Sequence, residues 1–298
     1  MTGCHGAADI KNMDLTNRND IRALMTFYGV APRKKYGQNF LTDTSVLDGI
    51  VDSAGLTGED TVLEIGPGLG ALTRRLAAAA GRVLAVEIDE GLIPLLKGTL
   101  SDHDNVTLIN GDILKLDIED LCREYAPGGR LHVVANLPYY ITTPIVLRLL
   151  EHRESISDIT VMIQKEVAGR MQAVPGGKEY GALSLAVQYY SDPEIVMNVS
   201  PDCFFPAPEV DSVVIRLKSR ETPGVIVRDE KLMFDLIRAT FNMRRKTMPN
   251  ALMSAGRGFT RDQIESALAQ MGKTPTVRGE TFTLEEFGEL ADILATVP

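Results

Sequence analysis

From residue 61 onward, short apolar runs alternate with longer stretches of helical spacing. "TVLEIG" (61–66), "RVLAVEID" (82–89), "VTLING" (106–111), "LHVVAN" (131–136) and "DITVMIQ" (158–164) have the pattern of buried strands. Between them, "ALTRRLAAAA" (71–80), "EGLIPLLKGTL" (90–100) and "TPIVLRLLEH" (143–152) are rich in strong helix formers. Strands alternating with helices predict a parallel sheet, and unbroken runs such as "VLAV" predict that it is covered on both faces. Upstream, "TDTSVLDGIVDSAGL" (42–56) spaces Val46, Leu47, Ile50, Val51 and Ala54 at helical intervals, with Asp43 or Thr44 as N-cap. That helix is expected to pack on the sheet, with "YGQNFL" at the sheet's edge or across its top.

The rhythm changes after residue 164. "KEVAGRMQA" and "YGALSLAVQYY" have helical spacing, while "EIVMNVS" (194–200) and "DSVVIRLK" (211–218) predict a strand pair at the sheet edge. From about residue 228 only helical patterns remain, and "SRETPG" (219–224) marks a boundary through its proline and glycine. The expected organisation is therefore an N-terminal extension of unknown role (1–25), an α/β domain (26–220) and a small all-helical C-terminal domain (221–298). A chain of 298 residues is long enough for such a pair.

Composition narrows the class. Hydrophobic content of 44% and charged content of 24% are those of a globular protein. No apolar run approaches the roughly 18–20 residues that span a bilayer. "MTGCHGAADIKNMDLTNRND" lacks the apolar core of a signal peptide, so a cytoplasmic protein with no membrane partner is expected. Cys4, Cys122 and Cys203 lie far apart and are odd in number, which argues against a disulfide framework or a structural zinc site. His5, His103, His132 and His152 are scattered, and no metal site is expected. A monomer is the default.

Net charge is −9, so the chain cannot hold nucleic acid by bulk charge alone. Two local basic clusters stand out: Arg33, Lys34 and Lys35, and Arg244, Arg245 and Lys246. Each, taken alone, is also what a solvated surface run looks like.

Chemistry concentrates at the ends of the predicted strands. Gly66 and Gly68 in "EIGPGLGALT" suit a loop that lets a ligand approach the backbone closely. With Ala71 in the last place the spacing also satisfies G-x-G-x-x-A, so a dinucleotide fold and a structural tight turn both stay open. Glu87 closes the second strand, where an acid can accept from both ribose hydroxyls of an adenosine; Asp112 closes the third, where it can accept from an adenine amino group. Two such acids beside a glycine loop favour an adenosine site.

Asn136 ends the fourth strand and opens "NLPYYITTP". Its side-chain carbonyl and the backbone carbonyls before Pro138 form a fixed set of acceptors that can hold both hydrogens of an exocyclic amine. Such bonding favours a more pyramidal, more nucleophilic nitrogen. Tyr139 can stack on a purine, a contact worth about 1–3 kcal/mol per base.

Seven segments, "YGQNFL", "EIGPGLGALT", "VEID", "GDIL", "NLPYYITTPI", "FFPAPEVDSVVIRL" and "FNMRRKTMPNAL", together resemble the ribosomal RNA adenine N6,N6-dimethyltransferases, from roughly Pro32 to the C-terminus. Within that family the wording is most like the bacterial branch that dimethylates two adjacent adenosines near the 3′ end of 16S RNA, in a small ribosomal subunit or its precursor. The resemblance implies a Rossmann-like class I methyltransferase sheet using S-adenosylmethionine. It implies Gln38, Asn39 and Leu41 over the methionine part, Gly66 and Gly68 beneath it, Glu87 at the ribose and Asp112 at the adenine. Asn136, Leu137, Pro138 and Tyr139 would form the methyl-transfer end, with Phe204 facing Tyr139 across the target base. Arg244, Arg245 and Lys246 would contact RNA phosphates from the helical domain. That domain is otherwise neutral, with eleven basic and eleven acidic residues over 220–298, so docking would rest on patches and shape.

Three rivals stay in view. A large-subunit methyltransferase of the antibiotic-resistance type shares the sheet motifs. N-x-P-Y motifs also serve enzymes acting on protein glutamine or DNA adenine. A non-catalytic ribosome-assembly factor would keep the fold without the reaction. The dehydrogenase reading lacks a His/Arg/Asp set.

Overall fold

The computed structural model describes residues 10–33, 36–254, 256 and 258–296. Contacts divide the chain into two compact units, one comprising residues up to Ala168 together with 194–219, the other comprising 169–193 together with 220 onward.

In the first unit, helix α1 (Arg18–Tyr28) is capped by the Asn17 side chain, which accepts from the N–H groups of Asn19 and Asp20. Strand β1 (Phe40–Leu41) leads into helix α2 (Thr44–Ala54), capped by Asp43. The alternation follows as β2 (Thr61–Ile65), α3 (Ala71–Ala79), β3 (Arg82–Glu87), α4 (Ile93–Thr99), β4 (Val106–Asn110), α5 (Ile118–Tyr125), β5 (Leu131–Asn136), α6 (Thr142–Glu151) and β6 (Ile156–Gln164). Helices α7 (Lys165–Met171) and α8 (Ala182–Tyr190) come next, then strands β7 (Ser191–Val199), β8 (Phe204–Phe205) and β9 (Ser212–Ser219).

One seven-stranded sheet has the order β4-β3-β2-β5-β6-β9-β7. Strands β4, β3, β2, β5 and β6 are parallel, and β9 runs antiparallel to β6. This is the Rossmann-like sheet that the resemblance implies. The chain leaves β2 toward β3 and β4, then returns to place β5 on the other side of β2. That reversal opens a crevice at the carboxyl ends of the strands, where ligands bind in open α/β sheets. Val62, Leu63, Val83, Leu84, Val133, Val134 and Val161 are buried, as strands covered on both faces require. Strand β8 pairs separately with β1, Phe40 opposite Phe205 and Leu41 opposite Phe204.

Two departures from the sequence reading have packing causes. Residues 1–25, expected as an extension apart from the domain, are not separate from it where described: Ile10, Leu15, Ile21 and Leu24 are buried in the same apolar cluster as Phe40, Leu41, Leu47 and Leu72. The segment 169–193, read as part of 26–220, falls in the helical unit, because α8 has an apolar surface that the helices beyond 220 supply a partner for.

The second unit contains α8 and the helices α9 (Glu230–Asn242), α10 (Met248–Ser254), α11 (Arg261–Gln270) and α12 (Leu284–Ala295). Tyr180, Phe282 and Phe287 are among its fully buried side chains, and the Tyr180 hydroxyl donates to the Phe282 carbonyl at 2.8 Å. Thr260 and Thr283 open α11 and α12 with reciprocal capping boxes. Gly279 lies so close to Thr240 that a Cβ there would fall 1.8 Å from Thr240 Cγ2, a buried methyl with no room to retreat. Gly279→Ala is therefore expected to lower unfolding free energy by about 1–3 kcal/mol in urea titrations. Adding Thr240→Ser, which removes that methyl, should recover most of the loss.

Candidate functional site

The crevice at the carboxyl ends of β2, β3 and β5 gathers residues from five separate stretches of sequence. Gln38, Asn39 and Leu41 come from β1 and the segment leading into it; Gly66 and Gly68 from the loop after β2; Glu87 from the end of β3; Asp112 from the loop after β4; and Asn136, Leu137, Pro138 and Tyr139 from the end of β5 and the turn after it.

Gly66 and Gly68 have φ of +72° and +61°, the left-handed region where a side chain is strained. A Cβ at Gly66 would meet no protein atom within 4 Å, so the space above it is open to a ligand. At Gly68 a Cβ would lie 3.0 Å from the Phe40 ring, so close packing also demands glycine there.

Two buried glutamates face this space. Glu87 is 4% exposed, and burial pushes its carboxyl up to about 7 despite hydrogen bonds from backbone N–H groups, among them that of Asp89 at 2.7 Å. Glu64, on β2, is 1% exposed and burial pushes it up to about 8. The Thr73 hydroxyl beside Glu64 eases the charged form, yet the pair misses full hydrogen-bond geometry, and Glu64 Oε2 and Thr73 Oγ1 both stay unpaired. Sequence reasoning passed over Glu64 because it sits inside a strand pattern. The signal available was an acid in an otherwise apolar run directly before the glycine loop.

Asp89 fastens the crevice wall. Its side chain, 3% exposed, takes an ion pair from Arg33 at 2.6 Å and a hydrogen bond from Gln38 Nε2 at 3.2 Å. Gln38 Oε1 in turn accepts from the Arg33 N–H at 2.8 Å, so both ends of this amide are engaged within the protein. Across the crevice, Asn136 Nδ2 donates to the Asn39 carbonyl at 3.2 Å, and the Asn136 amide oxygen takes no hydrogen bond from the described residues. Asp112 Oδ1 accepts from the Leu114 N–H at 3.0 Å, and Lys115 Nζ lies 3.7 Å from its other oxygen.

The turn after β5 is held from several sides. The Leu137 N–H donates to the Met162 carbonyl at 3.1 Å, and the Pro138 carbonyl accepts from the Ile141 N–H and the Thr142 hydroxyl. The Pro138 carbonyl is thereby occupied, and among the described residues the acceptors left for a ligand are Asn136 Oδ1 and the Leu137 carbonyl. Tyr139 is half-buried, its hydroxyl 2.5 Å from Ser212 Oγ, and burial raises its pKa. Tyr140, 57% exposed, stands at the crevice mouth, its ring against Gly37.

Other predicted site residues lie elsewhere. Phe204, expected to face Tyr139 across a base, is 1% exposed and does not line the crevice. Its pairing with Leu41 turns it into the core cluster, and the partly exposed aromatic is Phe205, with the Arg22 guanidinium 4.9 Å above its ring. In the helical unit, Arg244 is tied inward: it pairs with Glu280 at 2.8 Å and donates to the carbonyls of Lys178 and Gly177. Arg245 and Lys246 are exposed. His103, His132 and His152 sit beside Asp102, Asp60 and Glu119, and none lines the crevice. Cys4, His5, Lys34 and Lys35 lie outside the described residues.

This donor set fits S-adenosylmethionine: an unpaired buried carboxylate oxygen for an ammonium group, open space over Gly66 for a chain, and Glu87 and Asp112 for hydroxyl and amino donors. Among the described residues no helix is long and apolar enough to cross a membrane.

Comparison with known proteins agrees with this geometry. A family model described as ribosomal RNA adenine dimethylase matches residues 30–286. The chain is 55% identical over 264 residues to ribosomal RNA small subunit methyltransferase A of Lachnoclostridium phytofermentans, covering 88% of this chain and 91% of that one. Against the protein of the same name from Clostridioides difficile it is 46% identical, covering 95% and 97%. Among solved structures it is similar to a dimethyladenosine transferase from Plasmodium falciparum (TM-score 0.69, 26% identity, 84% of this chain and 95% of that one). It is also similar to the 23S rRNA methyltransferase ErmE (TM-score 0.63, 29% identity, 87% and 100%). A glycine loop, two strand-end acids and an Asn-Leu-Pro-Tyr turn around one crevice, with a family match running from residue 30 to 286, have one reading: the chain belongs to the ribosomal RNA adenine dimethylase family and is an S-adenosylmethionine-dependent methyltransferase.

Proposed function

We propose that this enzyme dimethylates N6 of two adjacent adenosines near the 3′ end of 16S ribosomal RNA, acting as a monomer in the cytoplasm on a small subunit or its precursor. The observation that carries the reaction is the turn Asn136–Tyr139, which opens with unpaired acceptors onto the same crevice as Glu87 and Asp112. The choice of subunit is supported by identities of 46–55% to proteins named as small-subunit methyltransferases, against 29% to ErmE.

When bound, S-adenosylmethionine supplies a methyl group on a positively charged sulfur, so the leaving group is neutral. The protein's task is then to orient and desolvate the adenine amine. Asn136 Oδ1 and the Leu137 carbonyl accept its two hydrogens, and Tyr139 stacks on the ring. Ser212 anchors the Tyr139 hydroxyl and so holds the far end of that side chain in place. No side chain is needed as general base, because the amine proton becomes acidic only after the methyl is attached and leaves to water. The target base must leave its stack to reach the crevice. On the cofactor side, Glu87 would hold the ribose hydroxyls, Asp112 the adenine and Glu64 the ammonium group, with Gln38, Asn39 and Leu41 forming the cover. In the helical unit, exposed Arg245 and Lys246 are the phosphate contacts, while Arg244 braces the loop that presents them.

Labelled S-adenosylmethionine offered to unmethylated small and large subunits should place N6,N6-dimethyladenosine in the small subunit only, after nucleoside digestion. Label confined to the large subunit would transfer the chain to the resistance branch. No label in either would leave only an assembly role. Asn136→Ala should keep cofactor affinity within a few-fold while methyl transfer falls about a hundred- to a thousandfold; unchanged turnover would remove its assigned role.

Glu64 gives a pH prediction. Its folded pKa of about 8 lies above the ordinary 4.5, so the stability it contributes is full at low pH and is lost as pH rises through 8. Cofactor-free Glu64→Gln, which cannot ionise, should therefore gain thermal midpoint over wild type progressively from about pH 5 to about pH 8 and hold that gain above. A constant difference across that range would show that Glu64 does not titrate there.

A further inference from the structure

We infer that the segment before the family match contributes one residue to the cofactor site, Leu15, which forms an apolar wall against bound S-adenosylmethionine. This rests on the cofactor assignment above and adds a residue to it. Leu15 is 4% exposed, lines the crevice directly, and belongs to the apolar cluster that also contains Leu41, Leu69 and Leu72. Leu69, in the glycine loop, and Leu72, at the start of α3, line the same crevice as Leu15.

The segment is held there by specific bonds. Arg74, on α3, donates from Nη1 to the Met13 carbonyl at 2.9 Å, two residues from Leu15. The same guanidinium donates from Nε and Nη2 to the Thr99 carbonyl at 3.0 and 2.8 Å, and the Thr99 hydroxyl donates to the Leu69 carbonyl at 3.0 Å. Met13, Arg74, Thr99 and the glycine loop thus form one hydrogen-bonded chain, which fixes Leu15 relative to the loop rather than leaving it as loose cladding. Further along, α4 offers a seat: a Cβ at Gly98 would fall 2.1 Å from the Tyr28 hydroxyl and 3.4 Å from Ile10 Cγ2. Both ends of the segment therefore dock where glycine leaves room.

α1 also reaches the β8 region. Arg18 Nη2 donates to the carbonyls of Asp202 at 2.9 Å and Phe204 at 3.4 Å. Those contacts lie away from the crevice and supply the control. Leu24, on α1 and fully buried, shares the cluster with Leu15 but does not line the crevice.

Calorimetric titration of the full chain with S-adenosylmethionine and with S-adenosylhomocysteine tests the inference, alongside thermal unfolding without ligand. Leu15→Ala should raise Kd about five- to twentyfold, the loss expected when several methyl contacts to a ligand are removed. Leu24→Ala should lower the unfolding midpoint at least as much while leaving Kd within about twofold. Should Leu15→Ala fail to fold, Leu15→Val is read in its place and should raise Kd about two- to fourfold. Unchanged Kd in the Leu15 variants, or an equal rise in Leu24→Ala, would overturn the wall and leave the segment as packing only. Wild-type protein that binds neither ligand would instead remove the cofactor assignment itself.

Discussion

Asp89 carries a charge that water barely reaches, and the chain's route over the end of β3 follows from satisfying it. An unpaired buried carboxylate would cost several kcal/mol. Its partners, Arg33 and Gln38, belong to the segment before β1, so meeting the demand of Asp89 draws that segment across the strand ends. Once there, Leu41 can pair with Phe204 and the Asn39 carbonyl can receive the Asn136 amide. The backbone N–H of Asp89 meanwhile holds Glu87 in place. Three motifs distant in sequence thus share one small network, and the ligand crevice is the space it encloses.

The acids that remain facing that space are held in the opposite condition. Glu64 and Glu87 are buried without a cation, and burial shifts both toward the neutral form. A core selected for stability alone would replace Glu64 with a leucine. Its unpaired oxygen is instead what a site looks like when its partner is a ligand group, and perturbed carboxylates in a crevice are characteristic of functional positions. A cationic ligand with hydroxyl and amino donors would convert both from a stability cost into binding energy.

Much of this was legible in the sequence, because it is written in local patterns: period and length gave the strands, glycines gave the loop, and acids at strand ends gave the crevice. What was not legible depends on which of two faces a side chain takes, or on distant partners. Phe204 and Phe205 are adjacent aromatics, and only the register of β8 against β1 decides that Phe204 goes inward. Arg244, Arg245 and Lys246 read alike as a basic run, yet Glu280 and two carbonyls claim the first. Glu64 was hidden by its strand, and residues 10–28 by the absence of any motif. The grouping of 169–193 with the later helices is a property of contacts between segments that no local pattern encodes.

The charge of the crevice also constrains how RNA can approach it. Among the described residues its lining includes the carboxyls of Glu64, Glu87 and Asp112 and no lysine or arginine, which suits a sulfonium and an ammonium but offers a phosphate no cation. A nucleic acid backbone laid along that lining would lose water from its phosphates with no cation to replace it. The polynucleotide must therefore stay outside and send in a base, which is uncharged and flat. In the proposed function, recognition inside falls to neutral acceptors, Asn136 Oδ1 and the Leu137 carbonyl, and to the face of Tyr139, none of which depends on salt. Phosphate attraction can be left to exposed cations elsewhere on the protein, so a net charge of −9 is compatible with an RNA substrate. At the crevice, carboxyls without cations among the described lining residues are what separate a cationic ligand from an anionic backbone.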